Sequence, residues 1–222
     1  RVAPCQSLDG ALMLESGGRT ALSRMRRACP DCAAMRPDDC PLTEFELFRT
    51  DDAEVARLEF ERLLSPHALQ TRHRGGRLDV RCHAVSFGDT SLIYAQYGAA
   101  VRLDPGSLDS FYLVGMPIAG ASRVRAAGSE VVSRPGLASV QSCTRPVVVD
   151  WDDGCRKLSV KIGRAALERR LEGMLGRAPT RPVEFDPRFD LTRGGGASWG
   201  RLVDFLLTEL SPRSMYLGSR LA

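Results

Sequence analysis

The chain has 222 residues, 43% hydrophobic and 26% charged, enough for one domain of ordinary core size. No apolar run approaches the ~20 residues that span a bilayer, and the first residues, RVAPCQSLDG, lack the apolar core of a secretory signal, so a cytoplasmic protein with no membrane partner is expected. The net charge of +4 is carried almost wholly by arginine, Lys157 and Lys161 being the only lysines; the arginines are spread among acids, which does not mark a nucleic-acid surface.

Residues 1–43 read as a poorly specified extension. Cys29-Pro-Asp-Cys32 with Cys40 is the most metal-like spacing in the chain. A strong zinc site would show a second such pair, and isolated matches of this kind are usually ordinary cysteines. The cysteine count, seven, is odd, and a chain this large needs no disulfide staples, so free thiols in a reducing compartment are expected.

Thr50-Asp51-Asp52 opens a helix, with Thr50 or Asp51 as the cap and Ala56, Phe60, Leu63 and Leu64 on one face; Ser65-Pro66 stops it. From Leu78 the period becomes that of strands. Runs at 78–87, 91–97, 99–103, 111–118, 121–126, 130–133, 137–142, 147–151 and 157–162 are separated by turn residues, among them Gly88-Asp89, Asp104-Pro105-Gly106, Ala127-Gly128 and Arg134-Pro135-Gly136. About eight or nine short antiparallel strands fit a jelly-roll barrel, which closes its sheets upon themselves. After Gly163 the period turns helical: Arg164–Leu175, with Leu167, Leu171, Met174 and Leu175 as its stripe, ends at Gly176 as a left-handed cap. Gly194–Gly196 reads as slack before a second helix, capped by Ser198 and running to Leu210 with Trp199, Leu202, Val203, Leu206 and Leu210 as its buried stripe. Another helix begins near Ser214 and is expected to be cut off near Ala222. The expected organisation is an extension (1–43), a barrel with a leading helix (44–163) and a truncated helical segment (164–222).

Barrels of this type often hold a metal among two or three inward imidazoles. Of His67, His73 and His83 only His83 falls in an expected strand, and no His-x-His pair is present, so a metal centre lacks its ligands. There is no nucleophile elbow, phosphate loop or dinucleotide fingerprint, and Asp150, Asp152 and Asp153 fit a hairpin turn better than a catalytic pair. A non-enzyme without a cofactor is expected, the alternative being a cupin-type metal enzyme whose ligands are not recognisable. An unfilled barrel is a pocket for a small molecule. The candidate wall residues are His83, Tyr94, Tyr97, Tyr112, Met116 and Trp151, although strand alternation forbids Tyr94 and Tyr97 from both facing inward without a bulge.

The succession of FRTDD, a helix and SPH, then YAQYGAAVRLDPGSLDSFYLVGMPIAG, VVSRPGLASVQ, CRKLSVKIGRAALERRLEGMLG, PVEFDP and SWGRLVDFLLTEL resembles the N-terminal effector-binding and dimerisation region of AraC-type bacterial transcription regulators, over 45–222. The resemblance implies a cupin-like double-stranded β-helix barrel that senses a small effector, with aromatic compounds and carboxylic acids among the expected classes. It also implies helices that form a homodimer in the full-length protein, and promoter DNA read by a C-terminal helix-turn-helix module that this chain lacks.

Overall fold

The computed structural model describes residues 40–72, 78–126 and 128–210. They belong to the second of the two compact units into which the chain divides, Arg1–Arg36 and Pro37–Ala222. Cys29, Cys32, His73 and the expected helix from Ser214 lie outside the described residues. A single 3-10 turn (Thr43–Phe45) leads into β1 (Glu46–Thr50), α1 (Ala53–Leu63), β2 (Ala68–Thr71), β3 (Val80–Phe87), β4 (Thr90–Gln96), β5 (Val101–Gly106), β6 (Phe111–Ala119), β7 (Ser122–Ala126), β8 (Ser129–Ser133), β9 (Leu137–Gln141), β10 (Val147–Trp151), β11 (Arg156–Gly163), α2 (Arg164–Leu175), β12 (Arg188–Asp190) and α3 (Gly194–Glu209). No helix among the described residues is long and apolar enough to cross a membrane.

The strands form two antiparallel sheets, one in the order β1-β3-β4-β11-β6-β9-β12 and one in the order β2-β5-β10-β7-β8, so the mainly β, cupin-like barrel followed by helices is the observed architecture. The seven-stranded sheet is apolar on both faces. One face, with Val80, Cys82, Ile93, Ala95 and Phe111, packs with Val101, Val124, Val147, Val149 and Trp151 of the five-stranded sheet. The other, with Leu92, Tyr94, Val114, Met116, Leu158 and Val160, is covered by Val203, Trp199, Leu206 and Leu210 at α3 and by Leu42 and Phe189.

Helix α1 starts where Asp52 Oδ1 accepts from the N–H groups of Glu54 and Val55 at 2.7 and 3.1 Å. Thr50, one of the two expected caps, instead accepts from Asp52 N. The expected apolar face is inward: Ala56 and Phe60 are buried, with Leu63 and Leu64 against the same core. Asp104-Pro105-Gly106, expected as a turn, is the end of β5, where Gly106 still pairs with Val147. Pro105 lies beyond the last β2 pairing, Ala68 with Asp104, where its missing N–H breaks no bond to that neighbour. Helix α2 has its expected bounds and its Gly176 cap at φ 69°. Its expected stripe is not buried among the described residues, since Met174 and Leu175 are 71% and 56% exposed.

The glycine triplet is no slack: it is the first turn of α3. A Cβ on Gly196 would fall 1.9 Å from the Asp190 carbonyl oxygen, so glycine lets α3 press against β12.

Candidate functional site

Between the two sheets, under the C-terminal end of α1, lies a cavity of about 80 Å³. Its floor is built by alternation on β11. Lys157, Ser159 and Lys161 point to the barrel interior, while Leu158, Val160 and Ile162 join the opposite face. Lys157 stands between Ala95 on β4 and Pro117 on β6, and Ser159 between Ile93 and Gly115. Trp151 and Val149 close the cavity from β10, Gln141 from β9, and Phe60, Leu64 and His67 from α1 and the segment after it.

An aromatic chain frames this space. Phe48 meets Phe60 edge-on at 5.1 Å between centroids, Phe60 lies 5.4 Å from Tyr97, and Tyr97 meets Trp151 edge-on at 5.2 Å. Lys157 Nζ sits 4.2 Å from the centre of the Trp151 ring, a distance at which ring and ammonium attract. Lys157 is only 3% exposed. Burial lowers its pKa to about 8, and burial also pushes the thiol of nearby Cys155 up to about 11. Burial also raises the Tyr97 phenol.

Polar capacity is left over here. Trp151 Nε1 and His67 Nε2 are buried without a hydrogen-bond partner in the structure. The His67 ring is oriented by its other nitrogen, Nδ1, 3.0 Å from the Ser65 carbonyl. No acidic side chain lines the cavity among the described residues. An apolar space with a few convergent polar groups is the usual form of a small-molecule site.

Of the six wall residues expected from the sequence, the structure brings Tyr97 and Trp151 into this cavity. The other four are elsewhere, because strand alternation puts them on the opposite face of the seven-stranded sheet. Tyr94 and Met116 are in the core beneath α3. Tyr94 Oη donates to Gln96 Oε1 at 2.6 Å and lies 3.4 Å from Cys40 Sγ. His83 is 2% exposed, lies tilted with its ring centre 5.1 Å from that of Tyr94, and donates from Nδ1 to the Pro41 carbonyl at 2.7 Å. Tyr112 Oη accepts from Val183 N, and its ring meets Phe185 edge-on. Of the metal-like cysteines only Cys40 is described, and no group of three or more His, Cys, Asp or Glu placed to hold a metal ion occurs among the described residues.

Lys157, Gln141 and Ser159 escaped the sequence reading, and Phe60 and His67, read as a helix-face residue and as an imidazole outside the strands, were not expected in the wall. For Lys157 a signal existed: in a chain whose other basic residues are arginine, the only two lysines stand four apart in one apolar strand, hence on one face. Gln141 and Ser159 gave none.

The chain resembles known proteins over most of its length. It is 29% identical over 174 residues to the "Probable thc operon regulatory protein" of Rhodococcus erythropolis, covering 77% of this chain and 52% of that one, so it spans about half the length of this curated relative. Among solved structures it is similar in fold to the AraC-like transcriptional activator CuxR, with a TM-score of 0.55 and 13% identity over 76% of this chain and 63% of that one. A cupin domain, that of Schizosaccharomyces pombe Cnp3, matches more loosely, with a TM-score of 0.33 and 8% identity over 48% of this chain and 79% of that one. Residues 56–222 match the model of the AraC-binding-like domain, and the chain belongs to that family.

Proposed function

We propose that this chain is the effector-sensing half of a transcription regulator, that the effector binds without being transformed in the cavity under α1, and that promoter contact belongs to a part of the longer protein outside this chain. The observation that carries this reading is a cavity between the sheets with buried polar groups left unpartnered, in a member of the AraC-binding-like family. Occupancy is relayed along β11, which forms the floor and continues directly into α2. The exposed Met174 and Leu175 of α2 and Leu202 and Phe205 of α3 are the surface through which two full-length copies would pair.

The test is thermal unfolding of the chain against small carboxylates, sugars and aromatic compounds. A compound present at a hundred times its Kd adds about 2.7 kcal/mol to stability. Ala95→Leu, which fills the cavity from β4, removes that response while the protein stays folded. A response that survives Ala95→Leu places the effector elsewhere, and no response to any compound overturns the reading.

A further inference from the structure

The charged side chains that line the cavity are of one sign. Lys157 brings an ammonium, 3% exposed, into a space with no acidic side chain among its described lining. Beside it Trp151, against whose ring Nζ rests, has an indole N–H buried without an acceptor. A positive charge and a free N–H stand here with no anion on the described lining to meet them. A buried charge without a counter-ion is costly, and folding alone gives no reason to place it there: Met or Leu would fill the same strand position with no penalty. The arginines that make up nearly all of the chain's positive charge are absent from the described lining.

Resting on the sensing role proposed above, we infer that the effector is a small monocarboxylate whose anion pairs with Lys157 Nζ beside the Trp151 indole, with its apolar body toward Phe60 and Leu64. A single cation matches a single negative charge; a phosphate or dicarboxylate would bring a second charge with nothing on the described lining to meet it. Size restricts the class further. A cavity of ~150 Å³ accommodates benzene, so about 80 Å³ takes a short aliphatic acid as the structure stands, and an aromatic acid only where α1 is displaced. The lowered pKa of Lys157 is what a cation awaiting its partner shows, and pairing raises it again.

The experiment is calorimetric titration of the chain at pH 7 with butyrate and benzoate and with their neutral amides, butyramide and benzamide, on wild type and Lys157→Met. The expected result is at least tenfold tighter binding of an acid than of its amide in wild type, and loss of that preference in Lys157→Met. Should Lys157→Met not fold, wild type still decides, since acid binding at pH 9 takes up a proton, detected by titrating in two buffers of different ionisation heat. Acids bound no tighter than amides, a preference that survives Lys157→Met, or no proton uptake at pH 9 overturns the inference. Amide binding that Ala95→Leu abolishes would then leave the sensing role standing. If neither acid nor amide binds, the inference falls, and the sensing role then rests on the wider screen alone.

Discussion

The stem of Lys157 lies across Gly115: a Cβ at position 115 would stand 3.2 Å from Lys157 Cδ and 3.3 Å from Ser139 Oγ. The backbone of Gly115 is not in the left-handed region, so space and not conformation keeps a side chain out. Gly115→Val therefore crowds a packed interior and should cost about 1–3 kcal/mol, read from urea unfolding at pH 7. It should also displace Nζ and weaken butyrate binding. An unchanged unfolding midpoint would mean that the stem has another path.

Lys157 makes stability depend on pH in a definite direction. Its folded pKa, about 8, lies below the ordinary 10.5 because of burial, so the folded state holds the proton less tightly than the unfolded chain. The cost of the buried charge is fully present below about pH 8. It is relieved as the pH rises from there to 10.5, by on the order of 3 kcal/mol. Tyr97 and His67 are the other titratable groups that line the cavity, Cys155 lies near Lys157, and the raised Cys155 and Tyr97 act oppositely at alkaline pH. The comparison is accordingly between wild type and Lys157→Met. The variant should be the more stable at pH 7, with the gap closing by pH 10.5, as measured by urea unfolding at both pH values. A gap independent of pH would show that Lys157 is not held as a buried cation.

The positions of β3 to β11 are legible in the sequence because Gly, Pro and Asp cut that region at close spacing, as at Gly88, Gly128 and Gly136, all of which have positive φ. The strands that escape, β1, β2 and β12, all lie at sheet edges. Each is short and partly exposed, so its pairing is imposed by a neighbour and leaves little apolar pattern of its own. The facing of the strands is the harder matter. With both faces of the seven-stranded sheet covered, β4 is buried from Ser91 to Ala95 without alternation, and Tyr94 and Tyr97 read alike. Only pairing register separates them, Tyr94 with Leu158 and the cavity residue Ala95 with Lys157.

The second lysine secures the helix above the cavity. Lys161 Nζ donates to the Leu63 carbonyl at the end of α1 at 2.7 Å and rests 4.8 Å from the centre of the Phe111 ring. A cation at a helix C-terminus satisfies an orphan carbonyl and complements the dipole. Lys161→Met should cost about 1–2 kcal/mol and speed amide hydrogen exchange over 53–64 more than in β4 or β11. If α1 must move for larger acids, the same variant should admit benzoate faster. Unaltered exchange in α1 would assign its hold to Phe60 and Ala56 alone.

Gly196 sets how closely α3 can approach β12. Asp190 Oδ1 accepts from Thr192 N at 2.9 Å, and the Asp190 carbonyl occupies the place where a side chain at 196 would begin, 1.9 Å from an ideal Cβ. A backbone oxygen cannot turn aside as a flexible side chain could, so Gly196→Ala must push the first turn of α3 off the strand. Val203 would then leave the core it shares with Tyr94 and Val160. The loss should be at the upper end of about 1–3 kcal/mol, whereas Gly195→Ala, with nothing within 4 Å of its Cβ, should be neutral or gain a few tenths from the better helix propensity of alanine. Thermal unfolding of the two variants side by side decides it. Since the α3 contact is on the opposite face of the sheet from the cavity, butyrate affinity in Gly196→Ala should stay within twofold of wild type.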